Sequence, residues 1–412
     1  MDGGELLATG SSSCVFTPNL PCKKTGKIDS SRISKIVYSP EAVIESKDEK
    51  RMNDKIKKIK DYSKWALIFD EYCKPMSKEI LKTYDPGGIE KCFNDEEELY
   101  LIEDFDKNSY MMNGKMGGIT LLDYFEDIFY SKKTLNKTFT KSFYTLMEKI
   151  EPLFLGLKVM NDKKIVHNDI KYNNIVLHEG VFKYIDFGLS ELSTKKQRFK
   201  DRSLDELNTS RIYLFYPVEY LLFYGGKNRI LKEVEQLTIT PRRNIYELDQ
   251  ILRLFSLDII NVYNIVSYNL INKKITEKSM IENIDVYSLG ILVPLMFLTS
   301  TKFYNEKSPS EAFIKKILSK NNMVQEFFTL FGMMINPSSK ERIKPEYAYK
   351  EFKRLLKKFK NKENLSKKKS IKKTISRKKI SRKKISKKNI RNNRRNNITP
   401  YHLLRENKRR LT

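Results

Sequence analysis

The segment Ile165 to Ser190 constrains this chain most, because the helical rhythm on either side of it stops there. Two short apolar runs, Asn174-Ile175-Val176-Leu177 and Val181-Phe182-Lys183-Tyr184-Ile185, flank the turn-like His178-Glu179-Gly180. That pattern is a β-hairpin signal. Polar residues collect at its two mouths: Asp169, Lys171 and Asn174 before the first run, Asp186 after the second.

The rest of the chain arranges itself around that break. Glu5 to Phe16 reads as a strand, a turn of small residues and a second strand, and Ile33 to Val37 is another β-type run. Glu45, Glu49, Met52, Ile56 and Ile59 then fall at helical spacing. Residues 60–118 read as strands and loops, with the acidic stretch Asp95 to Glu98 among them. From Leu121 the pattern turns helical: Leu121 to Phe129, Phe143 to Met160, Val286 to Leu298. The expected fold class is α+β, with a small β-rich lobe over 1–118 and a large helical lobe over 119–360. The boundary falls near Gly117-Gly118.

Charge separates a third region. Of the net +28, residues 361–412 carry 21 Lys/Arg against two acids, a net of +19, which leaves +9 on residues 1–360. So basic a segment, with few large apolar residues, cannot offset its ordering entropy and is expected to be disordered. It should bind polyanions such as nucleic acid without sequence preference. Cys14, Cys22, Cys73 and Cys92 form no CxxC pair, so reduced thiols in a cytosol-like compartment are expected, with a nuclear destination left open by the basic tail. The first residues show no basic region followed by an apolar run, hence no secretory signal. The longest apolar stretch, Leu289 to Leu298, is about half of a membrane span, so no transmembrane segment is expected.

Phosphoryl transfer asks a protein for a base at the acceptor hydroxyl, oxygen ligands for a divalent cation, and cations beside the transferring group. The mouths of the hairpin supply each. His167-Asn168-Asp169-Ile170-Lys171-Tyr172-Asn173-Asn174 resembles the catalytic loop of the eukaryotic-type protein kinases, and Asp186-Phe187-Gly188 resembles their magnesium motif. The resemblance implies a bilobal kinase fold, ATP and Mg²⁺ as cofactors, and a protein substrate. Carried over by position, Asp169 is the catalytic base, Lys171 sits on the γ-phosphate, and Asn174 and Asp186 hold the metal. Lys171 at its place favours serine and threonine acceptors, again by resemblance. Pro217-Val218-Glu219, Asp285-Val286-Tyr287-Ser288-Leu289-Gly290 and Arg342 are similar to later motifs of the family, the last pairing with Glu219.

Upstream the match is looser. Ala8-Thr9-Gly10-Ser11-Ser12-Ser13-Cys14-Val15 aligns with a glycine-rich phosphate loop whose outer glycines are replaced by Ala8 and Ser13, with Gly10 and Val15 kept. Lys35 is the candidate for the α/β-phosphates, and Glu49 for its partner, with Glu45 one turn earlier as the alternative. Asn168 stands where many kinases have the Arg that receives a phosphorylated loop. About fifty residues, 225–280, look like an insertion with strand and helix patches. The overall character, Lys/Asn/Ile-rich with a basic tail, looks like that of the serine/threonine kinases of nucleocytoplasmic large DNA viruses, mimivirus-like. A viral chain would work in the host cytoplasm or the virion. Two other readings stay open: a catalytically weak pseudokinase or scaffold, and a small-molecule phosphotransferase of the aminoglycoside or choline kinase kind.

Overall fold

The computed structural model describes residues 4–10, 13–24, 27–92, 105–130, 135–208, 213–239, 243–304, 315 and 318–361. The acidic stretch Asp95 to Glu98, loop residues Ser11 and Ser12, and the basic tail from residue 362 lie outside the described residues. The chain divides into two compact units, Met1–Leu355 and Leu356–Thr412. In the second, the described residues 356–361 are helical.

The first unit opens with an antiparallel sheet of β1 (Glu5–Thr9), β2 (Ser13–Thr17), β3 (Arg32–Val37), β4 (Phe69–Cys73) and β5 (Tyr110–Lys115), in spatial order β1-β2-β3-β5-β4. Side chains alternate across it. Cys14, Phe16, Ile36 and Met111 bury on one face with Leu20, Leu81 and Ile89, which leaves Val15 and Lys35 for the other. The register pairs Val15 with Lys35, and an irregularity after Leu6 brings Ala8 opposite Val15. Helix α1 (Pro40–Lys57) starts where Ser39 Oγ accepts from the Ala42 N–H at 3.1 Å, with Pro40 in the first turn and Lys55 and Lys57 in the last. Its buried stripe, Glu49, Met52, Asn53 and Ile56, has the spacing of a single helix face.

Residues 60–118, expected as strands and loops, also hold short helices among the described residues: a 3-10 turn at Tyr62–Lys64, α2 (Lys78–Lys82), α3 (Pro86–Cys92) and α4 (Phe105–Asn108). Elements this short show no periodicity across a window of 11–18 residues. A second correction concerns the cysteines. Cys14 is bonded to Cys92 and Cys22 to Cys73, with Cα separations of 5.9 and 5.8 Å, so none is free. The partners lie 78 and 51 residues apart, which is why local spacing did not reveal them.

The helical region follows β5. It comprises α5 (Leu121–Tyr130), α6 (Leu135–Asp162), α7 (Lys196–Asn208), α8 (Val218–Phe223), α9 (Gly226–Ile239), α10 (Arg243–Arg253), α11 (Ile259–Ile271), α12 (Glu277–Glu282), α13 (Ile284–Tyr304) and α14 (Asn322–Met334); a further helix begins at residue 345. The span 225–280 is helical in its described elements, not a mixture with strands. Its β-branched run Ile259-Ile260-Asn261-Val262 reads as strand locally. Yet Asp258 caps it, accepting from the Asn261 N–H at 2.9 Å, and the buried set Ile259, Val262, Tyr263, Val266 follows helical spacing. The apolar window in Glu277–Leu298 is long enough to cross a membrane, but 89% of it is buried within the protein. An all-round apolar helix with that burial is a core helix.

Between α6 and α7 the backbone forms β6 (Ile165–Val166), β7 (Ile175–His178), β8 (Val181–Tyr184) and β9 (Glu191–Leu192), pairing as β6 with β9 and β7 with β8. The β7–β8 turn is Glu179-Gly180, both at positive φ (52° and 82°), the two-residue hairpin type. Gly156 of α6 lets this hairpin seat closely: a Cβ there would lie 2.9 Å from Trp65 Cε3 and 3.0 Å from Tyr184 Cε2. Lower in the helical region Arg342 gives Nε and Nη2 hydrogen bonds to the Asn336 carbonyl and makes an ion pair with Glu219 at 2.6 Å. Both side chains are out of solvent.

The disulfides give the first expected outcome. Alkylation of the denatured, unreduced chain should leave all four cysteines unmodified by mass spectrometry. Replacing Cys14 and Cys92 by Ser should lower the unfolding free energy by about 2–4 kcal/mol, read by urea titration. Full labelling of the native-purified chain would refute the pairing.

Candidate active site

At the first mouth of the hairpin the polar side chains converge on Asp169. Its Oδ2 accepts from Lys171 Nζ at 2.9 Å and Asn174 Nδ2 at 2.7 Å, and its Oδ1 accepts from the Tyr213 hydroxyl at 2.6 Å. Asn174 Nδ2 also donates to the Asp169 carbonyl at 3.0 Å. Burial pushes the Tyr213 phenol far up, with the Asp169 charge adding to it. Nothing in the sequence pattern marked Tyr213; only the fold brings it 44 residues back to Asp169.

The loop is held from beneath. Asp285, at the start of α13, accepts the backbone N–H groups of His167 (2.7 Å) and Asn168 (3.0 Å). The His167 ring donates from Nε2 to the Ile185 carbonyl at 3.1 Å, and the Phe187 ring packs on it at 4.7 Å. Asn168 and Asp186 both adopt positive φ (61°), a region Asn and Asp enter more readily than other side chains. The Asn168 carbonyl accepts from the Tyr216 hydroxyl at 2.7 Å, and Arg202 Nε reaches that hydroxyl at 3.3 Å.

Across the cleft, Lys35 Nζ lies 3.2 Å from Asp186 Oδ1 and 3.7 Å from Glu49 Oε2. Burial works against the Lys35 charge, but Asp186 and Glu49 outweigh it and hold its pKa above the ordinary lysine value. Burial would likewise raise Asp186, and the charge and hydrogen bond of Lys35 bring it below the usual carboxylate range. Burial pushes Glu49 up despite Lys35. Glu45 lies close by but over the Gly188 backbone, where a Cβ would lie 2.5 Å from its Oε1; its charge acts on Lys35, Glu49 and Asp186 without an ion pair to Lys35. Of the two glutamates left open by the sequence, Glu49 is the one beside Lys35.

The small-residue loop is closed by the Gly10 N–H donating to the Ser13 carbonyl at 2.7 Å. Ala8 and Val15 stand in register with each other, and Val15 with Lys35, so these positions form a row across β1, β2 and β3. A divalent cation is tested by the donor set. Asn174 Nδ2 is occupied with Asp169, which leaves its amide oxygen, and Asp186 adds a carboxylate. Two hard oxygen donors suit Mg²⁺, which keeps waters and substrate phosphates as its other ligands. Among the described residues no cluster of three or more His, Cys, Asp and Glu forms a separate metal cage.

A doubly held carboxylate, a lysine beside it, oxygen donors and a half-buried lysine between two acids are side chains of the kind a phosphotransferase uses. The fold is that of a kinase domain, with a β-sheet amino-terminal region and a helical carboxy-terminal region. The family model described as protein kinase domain matches residues 88–214, and the match supports a protein kinase. A search of curated proteins finds no significant match. The matched interval contains Asp169, Lys171, Asn174 and Asp186. Gly10, Lys35, Glu49 and the Glu219–Arg342 pair lie outside it, and their relation to the site comes from the geometry alone.

The two glutamates can be told apart. Glu49→Gln should lower the rate of phosphoryl transfer about tenfold or more, because Lys35 loses its buried partner. Glu45→Gln should change it less than about threefold. Equal losses, measured as kcat at saturating nucleotide, would contradict the assignment of the pair.

Proposed function

We propose that the chain is a serine/threonine protein kinase that transfers the γ-phosphate of ATP to protein hydroxyls. The observation that carries this is the grip on Asp169: a lysine and an asparagine fix one oxygen of a carboxylate, within one hairpin of a second carboxylate tied to Lys35. Asp169 takes the proton of the acceptor hydroxyl as its oxygen attacks phosphorus. Lys171 and Lys35 are the cations, the first beside the transferring group and the second at the α/β-phosphates. Asn174 and Asp186 are the residues that would hold Mg²⁺, which neutralises phosphate charge when bound. Ala8, Gly10, Ser13 and Val15 cover the phosphates from the sheet. The serine/threonine preference is supported by Lys171, and membership among kinases of large DNA viruses by the Lys/Asn/Ile-rich composition with its basic tail.

Radiolabelled ATP, Mg²⁺ and a generic basic protein test the reading directly. Phosphoserine and phosphothreonine should appear, and Asp169→Asn should reduce transfer by about 10²–10⁴. Phosphotyrosine alone would overturn the acceptor preference. No transfer by the wild-type chain would leave a catalytically silent kinase fold.

The basic tail is proposed as a polyanion-binding extension. Deleting residues 361–412 should leave activity on a short peptide unchanged and abolish salt-sensitive retention on heparin. Retention with the same salt slope after deletion would place that site on the body. For location, the paired cysteines support a compartment in which disulfides persist over a reducing cytosol.

A further inference from the structure

Glu49 is flanked on α1 by two charged residues whose side chains leave the helix for the segment that begins at Asp186. Arg51 makes a two-pronged contact with Glu191: Nη1 to Oε1 at 3.2 Å and Nη2 to Oε2 at 2.7 Å. Glu191 belongs to β9, where it is the register partner of Val166, the residue before His167. Asp48 pairs with Arg198 of α7. Arg198 Nη2 also donates to the carbonyl of Gly188 at 2.8 Å. Since Asp48 lies 3.4 Å from Arg51, the four charges alternate along one chain: Glu191, Arg51, Asp48, Arg198. One end grips the strand beside the catalytic loop and the other grips the glycine two residues after Asp186.

Exposed ion pairs contribute little singly. Asp48, Arg51 and Arg198 are partly exposed (32%, 39% and 27%), so the grip depends on what they hold. Glu191 is 6% exposed, the Arg51 contact is two-pronged, and Arg198 adds a charged donor to a backbone carbonyl. Burial opposes the Glu191 charge, yet Arg51 holds its pKa below the usual carboxylate value.

Where a kinase has an Arg before its catalytic Asp, that Arg receives a phosphorylated loop and so fixes the segment. This chain has Asn168 there. Two hydroxyls of the segment are already committed as well: Ser190 donates to the His167 carbonyl at 3.0 Å and Ser203 to the Tyr220 carbonyl at 2.7 Å, both fully buried. We infer that Asp48, Arg51, Glu191 and Arg198 are positioning residues that hold α1, and with it Glu49 against Lys35, in the transfer-competent place without a phosphate on residues 187–219. The inference rests on the kinase reading of the site. It predicts an enzyme that is active as folded.

The full-length chain, treated with a phosphatase that is then removed, is compared with Arg51→Ala, Arg198→Ala and Arg198→Lys. Two readouts are taken: amide hydrogen exchange over residues 45–57, and kcat and KM for ATP on a generic basic protein. Phosphatase treatment should leave wild-type exchange unchanged and kcat within about twofold. Each alanine variant should speed α1 exchange and lower kcat, both about tenfold, with the thermal midpoint nearly unmoved. Arg198→Lys keeps the charge opposite Asp48 and should recover most of the exchange protection. Faster α1 exchange in the wild type on dephosphorylation alone would overturn the inference, as would wild-type protection in both alanine variants. A wild-type chain that transfers no phosphate sinks the kinase reading, and the exchange comparison still decides the clamp.

Discussion

The site depends on one buried carboxylate. Asp285 stands at the first turn of α13, a largely buried apolar helix, and takes the N–H groups of His167 and Asn168. Burial pushes its pKa up, while these two bonds and the helix N-terminus favour the charged form. A loop cannot otherwise carry a side chain with fixed aim, because its backbone groups have no ladder of their own. Through Asp285 the rigidity of a core helix passes to residues 167 and 168, and Asp169 leaves the next peptide with both carboxylate oxygens engaged. Ser288, one turn along α13, donates to the Phe215 carbonyl at 2.6 Å, so the same helix anchors the stretch that delivers Tyr213 and Tyr216.

Lys35 and Glu49 are a different kind of problem. They sit on the sheet and on α1, while Asp186 comes from the helical side, so the arrangement requires two separately packed regions to meet. A buried charge left without its partner costs several kcal/mol, which makes the Lys35, Glu49 and Asp186 triad sensitive to any retreat of α1. The contacts from Asp48 and Arg51 flank Glu49 on α1 and fix the helix on both sides of it.

The hairpin and its polar mouths were legible because both are local: two short apolar runs, a His-Glu-Gly turn between them, and polar residues at either end. The helices α1, α5 and α6 were legible for the same reason, each being long enough to show its period, and α13 through its unbroken apolar length. What stayed hidden is non-local. Cys14 and Cys92 are joined only after β2 and α3 have packed; Tyr213 meets Asp169 only after the intervening segment has folded back. The choice between Glu45 and Glu49 turned on one helical turn, which spacing alone does not resolve, since both share a face. Short α2, α3 and α4 fell below the length at which a period can be read, and the capped Ile259–Ile271 helix was masked by its β-branched residues.

Asn168 ties these threads together. Its φ of 61° places it in the left-handed region, where a long side chain such as Arg is disfavoured relative to Asn. The exchange of residue type therefore eases the backbone while it removes the cation that would bind a phosphate. Its N–H goes to Asp285 and its carbonyl to Tyr216, so its main chain is held where its side chain offers no charge. Its amide is neutral, with the oxygen buried and without a hydrogen-bond partner, so the side chain cannot supply the missing positive charge. With that role vacated, the described residues between 186 and 219 are held by neutral and fixed-charge contacts. The tyrosine hydroxyls at 213 and 216, the buried serines, and the Arg51 and Arg198 ion pairs are such contacts, and none of them needs a phosphate to form.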